Sequence, residues 1–172
     1  MEDKPRIVTM KGKELNLSGE KPKTGEKVPD FEVTADDLSK VKLPSFGDKL
    51  RVILSLPSLD TSVCDVMARR FNQEAANLGK DVVVLTISMD LPFAQKRWCG
   101  NAKADNIIVL SDYFDASFGK AFGVLIKELR LLARAVFVVD KDGLLKYLEI
   151  VPELTNEPDY ESALKTIRKL LE

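Results

Sequence analysis

The sequence contains no histidine and only two cysteines, Cys64 and Cys99. Without histidine, Ser-His and Cys-His catalysis are excluded within the chain. A zinc site would have to use two widely separated thiols and carboxylates, because no CxxC pair is present. Catalysis is thus limited to thiols, carboxylates, lysine, tyrosine and hydroxyl groups, and we expect neither a metal nor a cofactor.

The sequence also lacks an excess of charge and a long apolar run. Lys and Arg total 26 against 27 Asp and Glu, for a net charge of −1. The balanced charge therefore does not favour nucleic acid as a binding partner, and it gives no support for a basic patch that binds membranes. No stretch approaches the roughly 18 apolar residues of a membrane helix, and no apolar signal segment is readable. We expect a cytoplasmic protein, in which thiols are more often catalytic than structural.

What is present suits one folded domain. The chain has 172 residues, of which 45% are hydrophobic and 31% charged, so it can bury a core. We predict a single domain over residues 1–172. Within it, residues 1–18 form a β-hairpin extension, since residues 6–10 and 14–17 are strand-like and Gly12 stands at the turn.

Strand and helix patterns alternate along the rest of the chain. Strands are predicted near residues 28–33, 40–43, 50–56, 81–89, 106–110, 134–139 and 144–150, and helices near 63–78, 93–101, 114–122 and 158–172. This order predicts an α/β protein with a central sheet flanked by helices. The late hairpin across Asp140–Gly143 makes the sheet mixed, as in a thioredoxin-like fold. A flavodoxin-like doubly wound sheet is the alternative, but it lacks that hairpin.

Cys64 lies between the apolar strand 50–56 and the helix that follows it. If Asp60, Thr61 or Ser62 caps that helix, Cys64 falls in its first turn. There, unpaired backbone N–H groups and the helix dipole favour a thiolate. The alternative is that Cys64 is a small buried hydrophobic residue without a chemical role.

A longer pattern favours the chemical role. The spacing Pro57-x-x-x-Thr61-x-x-Cys64 resembles the active-site motif of peroxiredoxins. The stretches that resemble landmarks of the atypical two-cysteine thiol peroxidases are VPDF (28–31), SLDTSVC (58–64), DLPFAQ (90–95), RWCG (97–100), ARAV (133–136) and EPDY (157–160). Trp98 is the one visible departure, at a position where that family is expected to have Phe.

The resemblance implies an activity and roles for five residues. Cys64 would attack hydrogen peroxide or an organic hydroperoxide, and Cys99 would resolve the resulting sulfenic acid as an intrachain disulfide. Thioredoxin would reduce that disulfide, and the protein would be a homodimer. Thr61 and nearby backbone N–H groups would hold the peroxide oxygens, Arg134 would support the thiolate, and Pro57 would shield the site.

Each assignment has a plainer alternative. Thr61 could be only a helix cap, Arg134 a strand residue facing solvent, and Cys99 a cysteine without a role. A lone charge within the apolar run around Arg134 is costly unless paired, which predicts a partner for it. Trp98, Phe93 and Phe114 could line a pocket for alkyl peroxides or be ordinary core aromatics.

Two other functions use the same cysteines. One is a redox-sensing binding protein that is switched by the Cys64–Cys99 disulfide, and the set of Pro57, Thr61 and Arg134 favours an enzyme over it. The other is a disulfide oxidoreductase acting on proteins, which would prefer a CxxC pair.

Overall fold

The computed structural model describes residues 5–172, in which eleven strands and four α-helices follow one another. The strands are β1 (Ile7–Met10), β2 (Lys13–Ser18), β3 (Glu32–Thr34), β4 (Lys40–Lys42), β5 (Leu50–Ser55), β6 (Val82–Ser88), β7 (Ile108–Ser111), β8 (Leu125–Ile126), β9 (Leu131–Leu132), β10 (Ala135–Val139) and β11 (Leu145–Ile150). The helices are α1 (Ser62–Leu78), α2 (Pro92–Ala102), α3 (Ser117–Ala121) and α4 (Tyr160–Leu170). Residues 1–4, where the predicted extension begins, lie outside the described residues.

The central sheet is mixed, as predicted. Its seven strands run in the order β11-β10-β5-β6-β7-β3-β4. The pairs β5–β6 and β6–β7 are parallel, and β10 is antiparallel to both β5 and β11. The late hairpin therefore forms one edge of a thioredoxin-like sheet, and the flavodoxin-like alternative is wrong.

Strands β5 and β10 are buried along their whole length because each face of the sheet carries a core. We call these the α1 core and the hairpin core. The α1 core includes Val52, Leu54, Cys64, Phe71, Trp98, Val136, Val138, Leu164 and Ile167. The hairpin core includes Leu15, Leu17, Ile53, Phe118, Phe122 and Phe137. Successive side chains of each strand alternate between the two cores.

The predicted N-terminal hairpin is present and belongs to a second, smaller sheet that the sequence did not predict. Strand β1 pairs with β2 around the turn at Gly12, whose φ is 80°. The sheet order is β1-β2-β8-β9. Strands β8 and β9 have only two residues each, which is too short to show an alternating pattern. This sheet supplies apolar side chains to the hairpin core.

Two helices differ from their predicted lengths. Helix α3 begins only at Ser117, because Ala116 adopts a left-handed conformation with a φ of 50°. Helix α4 spans Tyr160–Leu170, so it is two residues shorter at each end than the predicted helix near 158–172, and Leu171 beyond it is exposed. Within residues 5–172, no helix has the length and apolar character needed to cross a membrane.

Candidate active site

Cys64 lies in the first turn of α1, as predicted. Thr61 has an extended backbone, with φ and ψ of −96° and 148°, and its carbonyl accepts the first helical hydrogen bond from Asp65 at 2.9 Å. The backbone N–H groups between these residues have no partner within the helix, so they can receive an electron-rich atom. The Cys64 side chain is fully buried, at 0% exposure, among the residues of the α1 core.

The guanidinium group of Arg134 contacts the sulfur of Cys64. Arg134 immediately precedes β10, so its side chain lies on the same face of the sheet as Val136 and Val138, which is the face that α1 covers. Its Nη1 donates to the Cys64 Sγ at 3.3 Å. With 2% of its surface exposed, Arg134 is not the solvent-facing strand residue of the plainer alternative.

Besides the Cys64 sulfur, this guanidinium contacts the Met67 sulfur, 3.8 Å from Nη1, and a backbone carbonyl. Nε and Nη2 of Arg134 donate to the Leu154 oxygen at 3.2 Å and 2.7 Å. No carboxylate of residues 5–172 forms an ion pair with Arg134. A buried cation without an anionic partner is costly, and the adjacent sulfur relieves that cost if Cys64 is a thiolate. The predicted partner of Arg134 is therefore Cys64 itself, together with the Leu154 carbonyl.

The loop before α1 orients Thr61 without using its hydroxyl as a helix cap. Thr61 Oγ1 donates to the Ser58 carbonyl at 2.9 Å, and it accepts no hydrogen bond from the helix. The helix-cap alternative is therefore wrong for this side chain. Thr61 is exposed whereas Pro57 is buried. Because its proton is directed to Ser58, the hydroxyl offers a lone pair as a hydrogen-bond acceptor beside the start of α1.

Asp90 holds this loop, a function that sequence reasoning missed. Its Oδ1 accepts from the Ser58 hydroxyl at 2.6 Å, and its Oδ2 accepts from the Leu59 N–H at 2.9 Å. The Ser88 hydroxyl also donates to Oδ2, at 2.7 Å. Asp90 stands in a stretch already noted for its resemblance, which was the available signal. The sequence could not show that it reaches across to the Cys64 loop.

Cys99 lies on α2 and is a free, half-buried thiol. Burial, followed by the nearby carboxylates of Asp36 and Asp105, raises the pKa of Cys99 from 9.0 to about 11. Cys99 and Asp36 line a cavity of about 240 Å³. At neutral pH this thiol is protonated and a weak nucleophile. Cys64 is also a free thiol, so the two cysteines are not bonded in this conformation.

The three aromatic residues singled out in the sequence have different surroundings. Trp98 is buried in the α1 core, as the ordinary core interpretation requires. Phe93 and Phe114 are exposed, at 67% and 69% of their surface. They follow the carboxyl ends of the parallel strands β6 and β7, and the Cys64 loop follows the parallel strand β5. Both exposed rings therefore lie at the same edge of the sheet as that loop.

Comparisons with known proteins show which family this chain resembles. A family model described as redoxin matches residues 23–164. A thiol peroxidase from Halalkalibacterium halodurans is 52% identical over 164 residues, covering 95% of this chain and 98% of its own length. The thiol peroxidase of Bacillus subtilis is 51% identical, with coverages of 95% and 98%. The crystal structure of a peroxiredoxin-like protein from Aquifex aeolicus aligns with a TM-score of 0.88 and 38% identity, covering 96% of this chain and 97% of its own.

Proposed function

Because the chain belongs to the redoxin family and is a peroxiredoxin-type oxidoreductase, we propose that its Cys64 reduces hydrogen peroxide and organic hydroperoxides. The observation that carries this assignment is the 3.3 Å hydrogen bond from Arg134 to the Cys64 sulfur. A buried guanidinium without a carboxylate partner favours the thiolate, which is the reactive form of a cysteine.

In the first step, the Cys64 thiolate attacks one oxygen of the peroxide. A sulfur–oxygen bond forms, the O–O bond breaks, and the leaving oxygen takes a proton to become an alcohol or water. Thr61 accepts a hydrogen bond from the peroxide O–H, while backbone N–H groups of the first turn stabilise the leaving oxygen. Because Cys64 is fully buried, the peroxide enters by displacing part of the loop that contains Pro57 and Thr61.

In the second step, Cys99 resolves the sulfenic acid. The Cys99 sulfur attacks the Cys64 sulfur, water leaves, and an intrachain disulfide forms. Thioredoxin then reduces this disulfide by dithiol exchange. Burial is the largest cause of the raised pKa of Cys99, which supports a step in which α2 first opens, since exposure to water makes its thiolate accessible.

The decisive experiment follows NADPH consumption with thioredoxin, its reductase and a peroxide. Wild-type protein should support turnover, and Cys64→Ser should abolish it. Mass spectrometry after one equivalent of peroxide should show a product two hydrogens lighter. Turnover near the wild-type rate in Cys64→Ser would refute the assignment. A disulfide that forms without any turnover would instead favour the redox-sensing binding protein.

A homodimer and a single domain are further parts of the proposal. The exposed rings of Phe93 and Phe114, at the sheet edge beside the Cys64 loop, provide an apolar surface that a second copy can cover. Sedimentation equilibrium tests this, and Phe93→Glu should weaken association.

The hairpin of residues 1–18 is proposed as an extension of one domain, because its apolar residues enter the hairpin core.

A further inference from the structure

The N-terminal hairpin is bonded to the segment that follows β11. Thr9 of β1 donates its backbone N–H to the Pro152 carbonyl at 2.7 Å. The Leu154 N–H donates in turn to the Thr9 carbonyl, also at 2.7 Å. Thr9 therefore bonds to the residues before and after Glu153, which is the pattern of a parallel β-bridge between Thr9 and Glu153.

The carboxylate of Glu153 strengthens this connection. Its Oε1 accepts from the Gly12 N–H at 2.9 Å and from the Thr9 hydroxyl at 3.2 Å. Its Oε2 accepts from the N–H and hydroxyl of Thr155 at 2.8 Å and 2.7 Å. These hydrogen bonds, those from Thr155 first, lower the pKa of Glu153 to about 2. Glu153 is thus charged at every pH at which the enzyme is expected to work, and it joins the hairpin turn to this segment.

The next residue along the chain determines where Arg134 points. The Leu154 carbonyl accepts from two nitrogens of the Arg134 guanidinium, and the third nitrogen donates to Cys64. A guanidinium is planar and rigid, so fixing two of its nitrogens fixes the direction of the third. The position of the Leu154 carbonyl therefore decides whether Nη1 reaches the Cys64 sulfur.

We propose that Glu153 is a positioning residue, and that the N-terminal hairpin acts through it to aim Arg134 at Cys64. The inference rests on the proposed function of Cys64 and goes beyond it by making the hairpin part of the reactive site. The apolar side chains of the described part of the hairpin belong to the hairpin core, whereas Cys64 belongs to the α1 core, so the proposed effect passes through the carbonyl that holds Arg134. Loosening the segment 152–154 should move this carbonyl and weaken the contact with sulfur.

Glu128 offers a matched control. Its carboxylate, like that of Glu153, accepts hydrogen bonds from the hairpin: from the Asn16 N–H at 2.9 Å and from the Asn16 side chain at 2.6 Å. It lies in the turn between β8 and β9, away from the segment that holds Arg134. Glu128→Ala therefore loosens the hairpin without touching the Leu154 carbonyl.

The test compares Glu153→Ala, Glu153→Gln and Glu128→Ala, each checked by a thermal melt. One readout is the stopped-flow rate constant for peroxide with Cys64. The other is the rate constant for alkylation of Cys64 by iodoacetamide at neutral pH, in a Cys99→Ser background. Glu153→Ala should slow the reaction with peroxide by about tenfold, because small displacements of a reacting group are costly. It should also change the alkylation rate, because the contact between Arg134 and the Cys64 sulfur is weakened.

Glu153→Gln should show a smaller effect on both readouts, because its amide keeps one acceptor oxygen. Glu128→Ala should change neither, even if it lowers the melting temperature as much as Glu153→Ala does. Equal changes in the Glu153 and Glu128 variants, or no change in Glu153→Ala, would overturn the inference. A wild-type Cys64 that fails to react with peroxide would instead refute the proposed function, while the alkylation rate of Cys64 would still test the effect of the hairpin.

Discussion

The indole of Trp98 donates a hydrogen bond of 2.8 Å to the carboxylate of Asp65. Asp65 is the residue after Cys64, and Trp98 is the residue before Cys99. This bond therefore joins α1 to α2 beside both cysteines while the two thiols remain unbonded. In the proposed mechanism α1 or α2 opens to bring the sulfurs together, and we expect this opening to break or displace the bond. The bond would then stabilise the conformation that reacts with peroxide over the one that forms the disulfide.

Removing this hydrogen bond should speed disulfide formation. Trp98→Phe keeps an aromatic ring in the α1 core but has no N–H to donate. Loss of one hydrogen bond of about 1 kcal/mol should raise the open population, and the rate of the resolving step, about fivefold. The rate of the resolving step is measured after adding one equivalent of peroxide, by quenching the reaction at set times, alkylating the free thiols and determining the mass of the products. This readout does not depend on tryptophan fluorescence.

Arg69→Ala is the control for this comparison. Arg69 Nε donates to Asp65 at 2.9 Å in a partly exposed ion pair, and its guanidinium lies 5.8 Å from the centre of the Trp98 ring. Its removal therefore takes away two weak contacts of the same pair of residues but keeps the indole donor and its acceptor. The resolving step in this variant should stay near the wild-type rate. A slower or unchanged resolving step in Trp98→Phe would show that the indole bond does not limit the opening.

The sequence was sufficient for those parts of the site that depend on local pattern. An apolar strand followed by a helical period predicts that Cys64 stands in a first turn, and the structure confirms this. It could not show which core Arg134 would face, because that depends on the register that pairs Val136 with Leu54. The hydrogen bond of Thr61 to Ser58 and the reach of Asp90 are likewise tertiary facts. Strands β8 and β9 of the smaller sheet have only two residues each, so the sequence shows no alternating pattern that could predict them.

Replacing Arg134 by Ala or by Lys should separate the contribution of its positive charge from that of its planar guanidinium group. We expect Arg134→Ala to lower the rate constant of Cys64 with peroxide about 100-fold, since a preorganised charge near the reacting atoms is lost. Arg134→Lys keeps the positive charge, but an ammonium group cannot donate to the Leu154 carbonyl and the Cys64 sulfur from one rigid plane. This variant should therefore recover only part of the rate constant with peroxide. Stopped-flow kinetics with thermal melts provide the measurement. A rate constant unchanged in Arg134→Ala would reduce this residue to a structural role.

The reactivity of Cys99 should depend on pH in a way set by its surroundings. Its pKa is raised from 9.0 to about 11, first by burial and then by Asp36 and Asp105. Because the pKa is raised, Cys99 of the folded protein keeps its proton between pH 9 and about pH 11. Below pH 9, its thiolate fraction is about 100-fold smaller than that of a cysteine with a pKa of 9.0. In Cys64→Ser, alkylation of Cys99 should therefore be slow at neutral pH and still rise above pH 9.

Asp36→Asn tests the electrostatic part of this effect. Removing the carboxylate should lower the pKa of Cys99 and speed its alkylation at a given pH, while the larger contribution of burial remains. Asp37→Asn is a suitable control, because Asp37 is also exposed and is not among the groups that shift Cys99. Alkylation of folded Cys99 at the rate of an unfolded cysteine would contradict the prediction.

The fate of Cys64 under excess peroxide should depend on Cys99. In the proposed mechanism, the sulfenic acid formed at Cys64 would wait until α1 or α2 opens, because the two thiols are on separate helices that are joined by the bond between Trp98 and Asp65. During this wait, a second peroxide can convert it to the sulfinic acid, which thiol exchange does not reverse. Cys99→Ser removes the competing reaction and makes the wait indefinite.

We therefore expect Cys99→Ser to consume one equivalent of peroxide as rapidly as the wild type, to lose thioredoxin-supported turnover, and to gain two oxygens on Cys64 with excess peroxide. Trp98→Phe should show the opposite trend, with less sulfinic acid per turnover than the wild type, because a faster opening shortens the wait. Intact-mass measurements over a series of peroxide concentrations compare the three proteins directly. Undiminished turnover in Cys99→Ser would remove Cys99 as the resolving thiol. A bond between Cys64 and Cys99 of two different chains on a non-reducing gel would keep the chemistry and overturn the intrachain assignment.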